Sequence, residues 1–258
     1  MRIQETLRFC CPAKITPYLK ILGIRSDQYH AVRLALFAID LFDTLEISPG
    51  MRSGVDLEVT GQDWQGKPQD NLIWQATQRF AIASGQSLAL RLRLVKRIPS
   101  GAGLGGGSSD AAVTLLALNR FTHPPLPQDI LHEIAASLGS DVPFFLDPAP
   151  ALAEGRGEQL SPLPQQSPKP LLIVKPGFSI ATGAAYAAVA AQGFGPDPGA
   201  LPIAVTTDWP SALHNDFEAP LLPLHPELGR IKQALLNVGA RGALLSGSGS
   251  AVFGVFEN

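Results

Sequence analysis

The stretch PSGAGLGGGSSDAA at residues 99–112 constrains the fold more than any other part of the chain. Five glycines between residues 101 and 107 precede two hydroxyl residues, an acid and an apolar run. Glycines permit positive φ angles and let backbone N–H groups approach a ligand closely. A helix that begins directly after them adds unpaired N–H groups and the positive end of its dipole. The pattern therefore predicts an anion site at a helix N-terminus, most often a phosphate site.

Two common phosphate motifs fit this stretch poorly. The P-loop pattern needs a Lys after its last glycine, and none follows here. A dinucleotide-binding pattern is formally present at Gly101, Gly103 and Gly106. Its acidic partner should end a second strand about 20 residues on, where this chain predicts a helix followed by THPPLP. A flexible loop or a tight turn is the remaining structural alternative.

Composition describes a globular chain with no strong preference for charged partners. Of the 258 residues 45% are hydrophobic and 16% charged, and the formal net charge is -2. This balance argues against nucleic acid or an anionic membrane as a partner, and no apolar run is long enough for a membrane span. The N-terminus lacks the apolar core of a signal peptide, and the two cysteines, Cys10 and Cys11, are adjacent. These features predict a cytoplasmic protein.

Residue periodicity predicts a mixture of strands and helices. The clearest strand is 88–94, where leucines and arginines alternate. Further strands are expected at 3–9, 18–24, 32–47 and 171–176, with a proline-containing joint after the first and a final hairpin at the end of the chain. Helices are expected at 71–84 with Asp70 as N-cap, and at 109–121, 128–138, 182–191 and 226–238. Because no regular βαβ rhythm appears, the predicted class is α+β.

Three segments resemble the motifs of one enzyme family. CPAKITPYLKILGIRSDQYHAV at 11–32, GAGLGGGSSDAA at 101–112 and LLSGSGSAVFGVF at 244–256 resemble the first, second and third motifs of the GHMP kinases. The DQYH and GSDVPFFL segments are similar to a branch that phosphorylates a cytidine diphosphate-linked methylerythritol in the non-mevalonate isoprenoid pathway. The resemblance implies an ATP-dependent kinase of α+β class, with the active site in a cleft between two domains. These would span 1–150, with the ATP-binding loop, and 151–258.

The resemblance also implies catalytic and ATP-binding roles. Asp141 would be the base for the acceptor hydroxyl, and Lys14 would keep its carboxylate ionised and face the acceptor oxygen. Asn71 and Lys96 match positions that border the adenine pocket. The second motif would hold the ATP phosphates through Pro99, Gly101, Gly103, Leu104, Gly105, Gly106, Gly107, Ser108 and Ser109. Those phosphates would supply most of the ligands of Mg²⁺, and a hydroxyl of Ser108 or Ser109 would be the protein contact. No separate protein metal site is expected.

The implied substrate residues come from both halves of the chain: Thr16, Tyr29, His30, Thr182, Tyr186, Gly247 and Ser248. Aromatic faces and the imidazole would hold the cytosine base, since stacking is worth roughly 1–3 kcal/mol per base. Without the resemblance, a helix cap is the favoured interpretation of Asp141, a surface charge that of Lys14 and a plain hairpin turn that of the third-motif glycines. Lys96 is then a surface lysine, and helix packing explains Tyr186 equally well.

Three departures from the family pattern leave alternatives open. Thr16 stands where the family usually has Asn, and Gln28 replaces the usual glycine of D-G-Y-H. The chain also stops soon after its third motif, so a smaller C-terminal domain is expected. The alternatives are another GHMP kinase of the homoserine or mevalonate type, and a binding protein that kept the fold without catalysis. We expect a monomer or weak homodimer with a small-molecule substrate.

Overall fold

The computed structural model describes residues 5–61 and 67–257, which form two compact units. The first unit comprises the chain up to Ala13, Ile39–Ser100 and Gly105–Asp147. The second comprises Lys14–Ala38, Gly101–Leu104 and the chain from Pro148 onward. Two long strands and the glycine-rich stretch are divided between the units, because the chain passes from one to the other within them. The predicted domain division at residue 150 stays a prediction.

Strands and helices of the described residues follow one another in mixed order, as the predicted α+β class requires. The strands are β1 (Leu7–Ile24), β2 (His30–Pro49), β3 (Gly54–Gly61), β4 (Ala89–Lys96), β5 (Ala151–Glu154), β6 (Gln159–Pro162), β7 (Leu171–Val174), β8 (His214–Asn215), β9 (Gly242–Leu245) and β10 (Val252–Val255). The α-helices are α1 (Leu72–Ser84), α2 (Gly106–Arg120), α3 (Gln128–Leu138), α4 (Thr182–Gln192), α5 (Ala204–Thr207), α6 (Glu218–Leu224) and α7 (Pro226–Asn237). No helix among these residues is long and apolar enough to cross a membrane.

In the first unit, a sheet carries helices α1, α2 and α3. Strand β4 pairs in parallel with β3 and antiparallel with the second half of β2. The alternation predicted for 88–94 is confirmed, because Leu92 and Leu94 are buried while Arg91 and Arg93 are exposed. Helix α2 packs against α1 and α3 and buries most of its apolar residues, so the N-terminus of α2 is supported by the other helices of the unit.

In the second unit, a small antiparallel sheet carries the final hairpin. Strand β10 lies between β7 and β9, and α7 packs against β9 and β10. The first half of β2 pairs with β5, and β8 pairs in parallel with β1 at Tyr18 and Leu19. The predicted strand–turn–strand ending of the chain is thus confirmed, and its turn, residues 246–251, lies within the third motif.

Two predictions from local sequence signals were wrong. The proline-containing joint does not exist, because β1 runs without a break through Pro12 and Pro17. Proline removes one hydrogen-bond donor, but this strand buries nearly every side chain from Cys11 to Leu19, and that burial outweighs the local signal. The N-cap of α1 is Asn71 and not Asp70, since the Asn71 side chain accepts a hydrogen bond from the N–H of Ile73 at 2.9 Å.

Gln28 adopts a backbone conformation that suits glycine. Its φ angle is +66°, and it is the single non-glycine residue with positive φ among the described residues. A side chain in this region costs roughly 1–2 kcal/mol. The chain therefore keeps the turn geometry of a glycine-containing D-G-Y-H motif even though the glycine itself has been replaced.

Candidate active site

The N-terminus of α2 lies within the glycine-rich stretch. Gly105 precedes the helix with a φ of +70°, and Gly106 and Gly107 form its start, three residues earlier than predicted. No side chain of the described residues caps this end. A Cβ on Gly106 would lie 2.8 Å from Cγ2 of Ile98, so only glycine lets the helix start this close to the chain that follows β4. Helix-start N–H groups without a capping side chain, together with the helix dipole, favour the approach of an anion.

A buried cluster of charges supports this helix end in the first unit. The ammonium of Lys96 contacts carboxylate oxygens of both Asp43 and Asp110, the latter at 2.8 Å. Asp43 also accepts hydrogen bonds from the backbone N–H groups of Arg97 and Ile98. Lys96 is only 8% exposed, so the interpretation as a surface lysine is wrong. The cluster ties α2 to β2 and to the end of β4.

Asp110 sits in this cluster with an unusual proton affinity. Burial raises the pKa of its carboxyl to about 7, and the nearby Lys96 ammonium only partly offsets that effect. Its Oδ1 atom is buried without a hydrogen-bond partner among the described residues, as is Oγ of the fully buried Ser109. A buried carboxylate without full hydrogen bonding favours its protonated form.

The three motifs of the resemblance meet in the second unit, around Gly103. The N–H of Lys14 donates to the carbonyl of Leu104 at 2.9 Å, which joins the first motif to the second. The hydroxyl of Ser246 donates to the carbonyl of Gly103 at 3.0 Å, which joins the third motif to the second. A Cβ on Gly103, whose φ is +73°, would lie 1.9 Å from the Ser246 carbonyl oxygen.

Two backbone hydrogen bonds extend this contact along the third motif. The N–H groups of Ser250 and Ala251 donate to the carbonyls of Gly101 and Ala102 at 3.1 and 3.2 Å. A Cβ on Gly247 would lie 3.4 Å from Nζ of Lys14. A Cβ on Gly247, whose φ is +54°, would also lie 3.3 Å from the carbonyl oxygen of Gly103, so this glycine permits a close approach of the two backbones.

Lys14 and Thr16 form a hydrogen-bonded pair in the second unit. Both are buried, and Nζ of Lys14 donates to Oγ1 of Thr16 at 3.0 Å. The interpretation of Lys14 as a surface charge is therefore wrong. The pair also shows what the threonine at this family position does: its hydroxyl helps to orient the lysine ammonium.

Asn215 is a site residue that the sequence analysis missed. It is 5% exposed, and its amide nitrogen donates to the carbonyls of Leu245 and Gly247, each at 2.8 Å. Its Oδ1 accepts a hydrogen bond from the N–H of Phe217 at 3.0 Å. One side chain thus fixes the start of the third motif. No local sequence pattern marks it, since its partners are about thirty residues away in the chain.

An aromatic cluster in the second unit contains two of the predicted substrate residues, His30 and Tyr186, and a third, Tyr29, contacts an arginine. The rings of His30 and Tyr186 stack with centroids 4.4 Å apart, and the guanidinium of Arg156 lies 4.7 Å above the ring of Tyr29. Nε2 of His30 is buried without a hydrogen-bond partner among the described residues. Desolvation lowers the pKa of His30, which favours the neutral imidazole. Nearby, the hydroxyls of Thr182 and Ser248 are 3.2 Å apart.

The other predicted residues occupy varied positions. Asn71 caps α1, and Pro99 lies between β4 and the glycine turn. Asp141 lies in the first unit, in a turn before the 3-10 helix Pro143–Leu146, whose N-cap is Val142. The interpretation of Asp141 as the cap of that helix is therefore wrong. Its pairing with Lys14, which belongs to the second unit, stays a prediction. Among the described residues, no group of three or more His, Cys, Asp or Glu side chains is placed to hold a metal ion.

The chain matches two family models of the GHMP kinases. The model of the GHMP kinases N terminal domain matches residues 71–147, and the model of the GHMP kinases C terminal domain matches residues 197–258. A homoserine kinase from Cytophaga hutchinsonii is 18% identical and has a TM-score of 0.70, with 99% of this chain and 86% of that chain covered. That likeness shows the fold alone.

Proteins with higher sequence identity show to which kinases within the GHMP kinases the chain is similar in sequence. A 4-diphosphocytidyl-2-C-methyl-D-erythritol kinase from Pelotomaculum thermopropionicum is 41% identical, over 94% of this chain and 86% of the relative. The crystal structure of a 4-(cytidine 5'-diphospho)-2C-methyl-D-erythritol kinase has a TM-score of 0.84 and 37% identity, over 98% of this chain and 91% of that chain. The chain belongs to this family of 4-diphosphocytidyl-2-C-methyl-D-erythritol kinases, which confirms the predicted family.

Asp110→Asn is expected to flatten the pH dependence of stability. The pKa of Asp110 is raised in the folded state, so the folded protein binds the proton more tightly than the unfolded chain does. Its contribution to the free energy of unfolding is therefore full below pH 4 and is lost as the pH rises to about 7. We expect urea unfolding to show a loss of up to about 4 kcal/mol across this range in the parent protein and a smaller loss in the variant. Asp129→Asn, at an exposed position on α3, is the control, and equal profiles for all three proteins would contradict the prediction.

Asn215→Ala is expected to loosen the third motif. The change leaves the carbonyls of Leu245 and Gly247 without their amide donor, at a cost of about 1–3 kcal/mol in the free energy of unfolding. We also expect kcat to fall in the folded variant, because the loop is no longer fixed. Thermal unfolding and steady-state kinetics measure both effects. Asn237→Ala, at the exposed end of α7, should change neither, and unchanged kcat and stability in Asn215→Ala would refute this role.

Proposed function

We propose that the protein transfers the γ-phosphoryl group of ATP to the 2-hydroxyl of 4-diphosphocytidyl-2-C-methyl-D-erythritol. Relatives with this substrate in their names support the proposal, and one observation carries it for this chain. The buried Nε2 of His30, beside the stacked ring of Tyr186, has no hydrogen-bond partner among the described residues. A buried polar atom without a partner costs free energy unless a ligand satisfies it. A cytosine base offers both hydrogen-bonding groups and a face for stacking.

The ATP phosphates would bind at the N-terminus of α2. The uncapped N–H groups of its first turn and the helix dipole attract negative charge, and the absence of side chains at residues 105–107 lets a phosphate come close. Asn71 and Lys96 would border the adenine. Because the Lys96 ammonium is shared by two carboxylates, we expect it to shape this pocket and not to bind the base by its charge.

Mg²⁺ would be held mainly by the phosphates of ATP. Ser108 fits as the protein contact, because it lies in the first turn of α2 and is only partly buried, whereas the hydroxyl of Ser109 is fully buried. The bound ion would offset negative charge on the transferring phosphoryl group.

Residues of the chain would then accept the proton and stabilise the remaining negative charge. Asp141 would accept the proton of the 2-hydroxyl while the oxygen of that hydroxyl forms a bond to the γ-phosphorus. The bond from the γ-phosphorus to the bridging oxygen breaks at the same time, and ADP leaves. Lys14, oriented by Thr16, would offset charge on the acceptor oxygen and the phosphoryl group. Gly247 and Ser248 would enclose the acceptor as part of the loop that Asn215 fixes.

The substrate can be tested by measuring ADP release with three alcohols under the same conditions. We expect turnover with 4-diphosphocytidyl-2-C-methyl-D-erythritol and none with homoserine or mevalonate. Turnover with either of the other two alcohols alone would favour another GHMP kinase activity. Calorimetric binding of the cytidyl substrate with no ADP release would favour a binding protein without catalysis.

Asp141→Asn is expected to separate binding from chemistry. The change keeps the size of the side chain but removes the base, so kcat should fall by roughly 10²–10⁴ while ATP affinity stays unchanged. Stopped assays of ADP formation and calorimetry with ATP measure the two quantities. The matched control is Asp147→Asn, at an exposed position six residues along the chain. Near-normal kcat in Asp141→Asn would mean that catalysis does not use this carboxylate as a base.

A further inference from the structure

The segment that follows α4, residues 193–199, contacts the aromatic cluster through Phe194. The ring of Phe194 lies edge-on to the ring of His30, with centroids 6.0 Å apart and an interplanar angle of 61°. Tyr186 stacks on the same imidazole at 4.4 Å, so two aromatic rings contact His30. Edge-to-face and offset-stacked pairs at such distances are favourable arrangements for aromatic rings. The orientation of the His30 ring is therefore set by both neighbours.

An arginine on β2 holds this segment in place. Arg33 donates through Nε to Glu154 of the paired strand β5 at 3.0 Å, and through another nitrogen to Asp197. Asp197 in turn accepts a hydrogen bond from the N–H of Gly199 at 2.8 Å. The Arg33 side chain is only 12% exposed. Its guanidinium is therefore held by Glu154 of the sheet and in turn holds Asp197 of the segment.

The position of the segment depends on the Arg33–Asp197 contact, because the segment has little hydrogen bonding of its own. It reads GFGPDPG and has no regular secondary structure. Pro196 and Pro198 have no backbone N–H to donate, and Phe194 itself is 36% exposed. The Arg33–Asp197 contact therefore joins the segment to the sheet beside the packing of Phe194 on His30.

We propose that Phe194 is a specificity-determining residue of the pyrimidine pocket and that Arg33 and Asp197 are the positioning pair that holds it against His30. This inference rests on the proposed function, because it takes a cytosine base as the partner of His30. Phe194 restricts water at the imidazole, so a hydrogen bond from Nε2 to the base forms in a less polar environment. When Nδ1 carries the proton, Nε2 accepts from the 4-amino group of cytosine, whereas uracil presents a carbonyl oxygen there.

The kinetic test compares variants of Phe194 with a variant of the Arg33–Asp197 contact. Phe194→Ala should raise KM for the cytidyl substrate roughly three- to tenfold and leave KM for ATP unchanged, because one ring contact is lost. It should also reduce the preference for CMP over UMP as a competitive inhibitor. Asp197→Asn should reproduce part of both effects, and Phe194→Leu should restore much of the parent behaviour. Asp208→Asn, which removes an exposed carboxylate paired with Arg241, is the control.

A second measurement detects the water exclusion directly, without substrate. Desolvation lowers the pKa of His30 in the parent protein. In NMR titrations of the imidazole protons, with His30→Gln used to assign the signal, Phe194→Ala should move this pKa up towards about 6.5, and Phe194→Leu should not.

The outcomes separate the two proposals. Unchanged KM, CMP preference and His30 pKa in folded Phe194→Ala, with normal CMP binding by the parent protein, would overturn the role of Phe194 alone. Failure of the parent protein to bind CMP or turn over the cytidyl substrate would overturn the proposed function and, with it, this inference.

Discussion

The contact of the Ser246 carbonyl with Gly103 is the constraint on which the second unit's site depends. The carbonyl oxygen occupies the space that a Cβ on Gly103 would need, and the Ser246 hydroxyl donates back to the Gly103 carbonyl. Because the two backbones touch, Lys14 and the third motif are brought to the same few residues of the second motif. A side chain at residue 103 would separate them, so this glycine is required by packing as well as by its positive φ.

The first unit supports its part of the glycine-rich stretch by charge. The buried ammonium of Lys96 joins Asp43, which also binds the backbone after β4, to Asp110 on α2. Buried ion pairs are a poor source of net stability, but they fix geometry, because either partner left alone is costly. Here the geometry that is fixed is the direction of the helix end that would face the phosphates.

Much of the fold was predictable wherever a signal was local and repeated. The alternation of leucine and arginine at 88–94 gave the strand β4, and the glycines followed by Ser108 and Ser109 gave a helix start to within three residues. The prolines of β1 led to the wrong prediction of a break in the strand. Their local effect is outweighed by the burial of side chains along the whole strand, which the local sequence does not show. Asn215 and Phe194 could not be found in this way, since their contacts join residues distant in the sequence and carry no periodic pattern.

The closure of the second motif by the third has a consequence for the order in which the site forms during synthesis. The bonds from Ser246, Ser250 and Ala251 reach back to residues 101–103, which leave the ribosome more than 140 residues earlier. Helices α1, α2 and α3 make their contacts with one another within the first unit, and domains generally fold as units as they emerge. The N-terminus of α2 can therefore be folded well before the loop that contacts Gly103 has been synthesised. A truncated product lacking the final hairpin would therefore retain the N-terminus of α2 but lack the loop that contacts Gly103.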